Sequence, residues 1–154
     1  MLTAAMKRLV GDQPLGFVAT VSPDGSPNLS PKGTFAVIDD RTLAFADIRS
    51  PQTIRNLKAN PRLEVNFVDV FVRKGFRCSG TARLVQRDEP GFDAILAKLR
   101  SSFADRVRTV VVVTVEKASP LTSPSYDDGR TEDELRRAWT QRFRKLQPGG
   151  KFEE

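Results

Sequence analysis

Through most of the first 115 positions apolar and polar side chains alternate in short runs, and turn-forming residues punctuate them. A period of two of this kind predicts strands with one buried face. Residues 15–21 form an apolar, β-rich run closed by Ser22-Pro23-Asp24-Gly25, where proline presets φ and Asp-Gly tolerates a tight reversal. Residues 27–32 return, with Pro27 and Pro31 marking an edge or a bulge. Residues 34–38 and 42–48 make a second hairpin around Asp39-Asp40-Arg41. Residues 63–72 alternate Leu63, Val65 and Phe67 with Glu64 and Asn66. Residues 76–85 place Phe76, Cys78, Ala82 and Leu84 opposite Arg77, Ser79, Thr81 and Arg83. Residues 109–115 are almost uninterruptedly apolar, which predicts a central strand covered on both faces.

A spacing of three or four appears in four places. Residues 3–11 read as a short helix capped by Thr3 and stopped at Gly11 before Pro14. Ser50-Pro51 opens a second helix, serine as the cap and proline at the first helical position, where its missing N–H costs nothing. Its stripe is Ile54 and Leu57, with Arg55 and Lys58 outward, and Asn60-Pro61 ends it. Phe92, Ile95, Leu96 and Leu99 predict a third helix over about 91–103. Leu135, Trp139, Phe143 and Leu146 predict a basic one over 132–146, after a polar loop at 122–130. The sum is a mainly β fold with flanking helices: six or seven mostly antiparallel strands closed into one barrel-like body. The expected division is an N-terminal helix in 1–14, the barrel in 15–118 and a C-terminal loop and helix in 119–154.

With 154 residues the chain can bury a single core, and ten Phe against one Trp and one Tyr predict that phenylalanine and aliphatic side chains fill it. No run approaches the ~20 apolar residues of a membrane helix, and the first residues lack the order of a signal peptide. One cysteine, Cys78, excludes an intrachain disulfide, and a cytoplasmic location is expected. A net charge of +6 suits an anionic partner without choosing among nucleic acid, cofactor and substrate. The absence of histidine decides more: it removes the usual axial haem ligand, Ser-His-Asp catalysis and histidine metal sites. An enzyme built this way takes its chemistry from a bound cofactor.

Three clusters at element junctions are candidates for holding one. Arg49, Ser50, Gln52 and Thr53 surround a helix N-terminus, whose unpaired N–H groups and partial positive charge suit a phosphate; a plain capped helix beside a surface arginine is the commoner meaning of such a segment alone. Ser30-Pro31-Lys32-Gly33 could present backbone and lysine to a planar ligand, or could be an edge guarded by proline and lysine. Lys74-Gly75-Phe76-Arg77 could set a cation beside an electron-rich ring, or be solvated charge at a hairpin end. Cys78 reads as a small buried hydrophobe and Trp139 as packing.

The order and spacing of these segments resemble the pyridoxamine 5′-phosphate oxidase-like family of FMN-binding split barrels. The carriers are Gly16-Phe17-Val18-Ala19-Thr20-Val21, Gly25-Ser26-Pro27-Asn28-Leu29-Ser30-Pro31-Lys32-Gly33, Leu43-Ala44-Phe45-Ala46-Asp47, Gln52-Thr53-Ile54-Arg55-Asn56-Leu57, Asn60-Pro61 and Lys74-Gly75-Phe76-Arg77-Cys78-Ser79-Gly80. The resemblance implies a homodimer with FMN at the subunit interface. It implies that Asn28, Leu29, Ser30, Pro31 and Lys32 line the isoalloxazine, largely through backbone groups, and that Ala46 and Asp47 continue that wall. Arg49, Ser50, Gln52 and Thr53 would hold the phosphate. Lys74 and Gly75 would approach the ring from its other side, with Arg77 a weaker candidate. True pyridoxamine phosphate oxidases end in an Arg-x-His element that this chain lacks, and Gln52 and Thr53 stand where their paired basic residues are. Vitamin B6 is therefore not the expected substrate.

The function implied is that of an FMN-dependent oxidoreductase acting on a small molecule of unknown identity, with NAD(P)H as a candidate donor and no named catalytic residue. Two alternatives share the fold: a flavin carrier or sensor without turnover, and a reductase using the deazaflavin F420, whose longer acidic tail suits the positive charge. Nucleic acid and membrane are not expected partners, because the basic residues are dispersed and not interleaved with stacking aromatics.

Overall fold

The computed structural model describes residues 1–99, 102 and 104–147. Among the described residues seven strands form one antiparallel sheet: β1 (Gly16–Val21), β2 (Pro27–Lys32), β3 (Ala36–Asp39), β4 (Thr42–Asp47), β5 (Arg62–Asp69), β6 (Lys74–Gln86) and β7 (Thr109–Thr122). Across the sheet they run β2-β1-β5-β6-β7-β4-β3, so the sequence neighbours β2 and β3 lie at opposite edges. Helices α1 (Ala4–Asp12), α2 (Pro51–Ala59), α3 (Phe92–Leu96) and α4 (Glu132–Leu146) flank this sheet. The architecture is the split-barrel type that the alternation and the resemblance implied.

Phenylalanine fills the interior as the composition suggested. Phe35 lies 4.9 Å from Phe45 and 4.8 Å from Phe67, and Phe67 stacks on Phe76 at 5.0 Å. Each such ring removed from water is worth about 1.5–3 kcal/mol. Val18, Leu43, Val65, Val111, Val113 and Val115 complete this cluster. A smaller one on the other face joins Ala44, Ala46, Val85, Val107 and Val110 to Phe92 and Leu99. Strands β4 and β7 alternate between the two clusters, which is why residues 109–115 carry no polar face.

β7 runs on past Val115 to Thr122 because β6 pairs with it along its whole length, with a register shift between Ser79 and Gly80. Gly80 permits that shift: a Cβ there would lie 2.1 Å from the Thr114 carbonyl oxygen. β5 stops at Asp69 rather than at 72, since the Asp69 carboxylate accepts the amides of Phe71 and Val72 and turns the chain. The expected helix over 91–103 is the most altered element. Phe92 and Leu99 are buried as its stripe required, but α3 ends at Leu96, and Lys98 and Leu99 donate to carbonyls only three residues back. Residues 100, 101 and 103 of that span lie outside the described residues. The first and last helices agree with the sequence, including the Thr3 hydroxyl that accepts the Met6 amide at 3.3 Å.

Candidate functional site

The tip of α2 departs from the expected serine cap in a way that matters for a ligand. Ser50 precedes Pro51 as predicted, yet its hydroxyl makes no capping bond. It instead accepts the Lys32 ammonium, which arrives from β2, while the Ser50 amide donates to Asp47 Oδ1 at 3.0 Å. A contact from a distant strand has displaced the local one. The Ser50 side chain therefore does not cap the first turn of α2, which leaves its amides available as donors to an anion.

Lys32 is only 6% exposed and also donates to Ser30 Oγ at 2.6 Å. Its side chain thus bridges the sheet edge to the helix tip. Burial pushes its ammonium below the ordinary lysine range, and the nearby Asp47 carboxylate opposes that shift. Ser30, Lys32, Asp47 and Ser50 accordingly form one group. Along β2 the side chains of Leu29 and Pro31 are exposed, and Asn28, half-buried, donates to Thr20 Oγ1 at 3.1 Å. Ala46 is buried in the second core cluster, and its amide donates to Thr34 Oγ1 at 2.9 Å.

Gln52 and Thr53 serve the helix more directly than any outside group. Thr53 is buried, and Gln52 Nε2 donates to Asn56 Oδ1 at 2.7 Å and Ser22 Oγ at 3.2 Å. Asn56 Nδ2 donates in turn to Thr20 Oγ1 at 3.0 Å. Thr20, Ser22 and Asn56 brace α2 on the β1–β2 hairpin and were not foreseen, because their partners are 30 and 36 residues apart in the chain.

Beside the helix tip opens a cleft of about 610 Å³ lined by Asp47, Arg49, Ser50, Asp105, Arg106 and Arg108. Arg106 and Arg108 carry no local sequence signal. They arrive there because Thr109 of β7 pairs with Asp47 of β4.

The third cluster lies elsewhere in the same chain. β1 and β5 separate β6 from β2, about 14 Å at three strand spacings of 4.7–4.9 Å. The Lys74 ammonium sits 3.1 Å from Glu132 and 4.4 Å above the Tyr126 ring. Gly75 answers a close approach of β5: a Cβ there would lie 1.9 Å from the Phe67 carbonyl oxygen. Arg77 is exposed and donates to Asn66 Oδ1 at 3.1 Å. Cys78 is buried, and burial, with a contribution from Glu64, pushes its thiol up to about 12. The structure thus joins the first two predicted clusters and leaves the third apart within one chain. Among the described residues no group of acidic, cysteine or histidine side chains could hold a metal, and no helix is long and apolar enough to cross a membrane.

Residues 2–136 match the family model described as pyridoxamine 5′-phosphate oxidase. The chain belongs to that family. A crystal structure of HupZ from Group A Streptococcus is 31% identical, with a TM-score of 0.69 over 80% of this chain and 96% of that one. An FMN-binding protein from Syntrophomonas wolfei, 18% identical, gives 0.66 over 77% and 84%. The heme storage protein HutZ from Vibrio cholerae, also 18% identical, gives 0.62 over 79% and 94%. The last two share the fold alone. No curated protein sequence matches the chain.

Proposed function

We propose that this member of the pyridoxamine 5′-phosphate oxidase family binds FMN as a homodimer and is a flavin-dependent oxidoreductase acting on a small molecule. The carrying observation is the α2 tip: a first turn without a side-chain cap, beside Arg49 and Ser50 and in contact with the β2 edge through Lys32. The donor set fits a phosphate monoester. Backbone amides supply directed hydrogen bonds, and Arg49, Arg106 and Arg108 outnumber Asp47 and Asp105 along the adjoining cleft. The backbone of residues 28–32 would orient the ring, and Ala46 and Asp47 would extend that wall from β4. Gln52 and Thr53 would act by fixing the helix tip in place.

The homodimer is supported by the outer face of β2, β1 and β5, where Phe17, Val21, Leu29 and Val68 are exposed together on neighbouring strands, with Leu15 beside them. An apolar patch of this kind marks an association surface. Association would also bring Lys74 and Gly75 from the partner subunit to a ring that the same chain's copy does not reach. When bound, FMN supplies hydride or electron transfer through its ring. The chain's part is to hold the phosphate, orient the ring and place a cation at its edge. Imidazole ligation of haem iron is not open to these 154 residues, which contain no histidine.

The test is to identify the small molecule that co-purifies with the protein and to mix the loaded protein with NAD(P)H. Bound FMN that a nicotinamide donor reduces supports the oxidoreductase. Bound FMN that no donor reduces would make the protein a carrier, and stronger quenching by F420 than by FMN would transfer the site to the deazaflavin.

A further inference from the structure

The C-terminal segment closes on one turn of the body. Between β5 and β6 the chain reverses through residues 70–73, and Arg73 takes a left-handed φ of 57°. For a residue with a side chain that conformation costs about 1–2 kcal/mol. The Arg73 guanidinium lies 3.8 Å from the centre of the Trp139 ring, a cation–π contact that offsets part of it. Ser123 donates its amide to the Arg73 carbonyl at 3.0 Å, and the Tyr126 hydroxyl donates to the Val72 carbonyl at 2.6 Å. Phe143 meets Phe71 edge-on at 5.4 Å, and Arg136 stands 3.8 Å from Asp69.

Lys74 follows directly after this turn. A lysine has a flexible four-carbon stem and sweeps a wide volume when nothing holds it. Here its ammonium is fixed twice, by Glu132 at the start of α4 and by the face of Tyr126. Arg136, 3.6 Å from Glu132, shares the same carboxylate. The side chain that the flavin reading assigns to the ring is thus held, and its charge balanced, by a segment outside the barrel.

We propose that Glu132 and Tyr126 are positioning residues for Lys74, so that α4 sets the charge presented where β6 begins. The inference rests on the flavin reading. With Glu132 and Tyr126 in place the ammonium is held at one point, where it favours the more negative, reduced flavin; with Glu132 removed the flexible stem is free to swing away and that preference is lost.

The experiment measures the midpoint potential of bound FMN in the wild type, Glu132→Gln, Lys74→Met and the double variant. Glu132→Gln should lower the ratio of reduced to oxidised flavin binding at least threefold, about 14 mV for a two-electron couple. That lowering should be absent in the Lys74→Met background, where only the direct field of the lost carboxylate remains, and Glu132→Asp should restore the wild-type potential. An unchanged or raised potential in Glu132→Gln, or an equal lowering with Lys74 absent, overturns the proposal while the flavin reading stands. Protein that binds no flavin overturns both. A second readout needs no cofactor: the resonance of reductively methylated Lys74 should move in Glu132→Gln and in Tyr126→Ala, and a stationary resonance rejects the clamp.

Discussion

The polar groups beneath the tip of α2 are sealed from water, whereas those beneath α4 stand half in it. Thr20, Thr53, Asn56 and Lys32 are all buried; Asn56 donates to Thr20 and Lys32 to Ser50, which ties α2 to β1 and β2. Lys74 and Glu132, by contrast, keep 42% and 48% of their side-chain surface exposed, and Arg136 is as open. The neutral part of that network, Thr20, Asn56 and Gln52, is costly to disturb and insensitive to salt, because each lost partner strands a polar group in low dielectric. Exposed ion pairs contribute little each and are screened. The difference assigns the two regions different work. On the proposed reading, the α2 tip is the firm base for an anion, and the α4 contact holds Lys74 in a way that salt can loosen.

The largest effect should come from the sealed side. Asn56→Ala removes a side chain that joins Thr20 to Gln52, and should cost about 1–3 kcal/mol in urea unfolding. The loss should be the same at low and high salt. A loss that shrinks as salt is added would mean that the network is wetter than its burial indicates.

Lys32 sharpens the contrast through pH. Below both its folded and unfolded pKa the lysine is charged in either state, and the fold carries the full penalty of burying it. As pH rises through the lowered folded value toward the unfolded value of about 10.4, the unfolded chain holds more protons and stability increases. The wild type should therefore gain stability over that interval relative to Lys32→Met. A flat difference between the two would place the ammonium in water.

The smallest effect belongs to α4. Trp139→Ala should lower stability by about 0.5–1 kcal/mol, the scale of an exposed cation–π contact, and raised salt should loosen the helix further by screening Lys74–Glu132 and Arg136–Asp69. Far-ultraviolet circular dichroism of the variant across a salt series checks this, and a variant as helical at high salt as at low would show that packing holds α4.

Period and turn chemistry made the strands, α1, α2 and α4 legible, because those signals are local. The two-faced burial of β7 was legible too, since an apolar run without alternation leaves neither face suited to water. The early end of α3 was not: its stripe is sound, and three-residue carbonyl contacts tighten the chain after Leu96. At the site, the proximity of Ser30 and Ser50 could be anticipated, but the loss of the serine cap could not. Lys32 reaches Ser50 across 18 residues of chain. Arg106 and Arg108 were invisible for the same reason, entering the cleft only through the pairing of β4 with β7.

The central claim is that the tip of α2 recognises a phosphate on a flavin. Titration of the protein with FMN and with riboflavin, which lacks the phosphate, tests it most directly when repeated on Arg49→Gln. FMN should bind at least tenfold more tightly than riboflavin, the scale of a charge-assisted hydrogen bond at about 1.5–3 kcal/mol, and Arg49→Gln should narrow that gap while leaving riboflavin affinity unchanged. Equal affinity for the two flavins, or a gap that Arg49→Gln leaves intact, would contradict it.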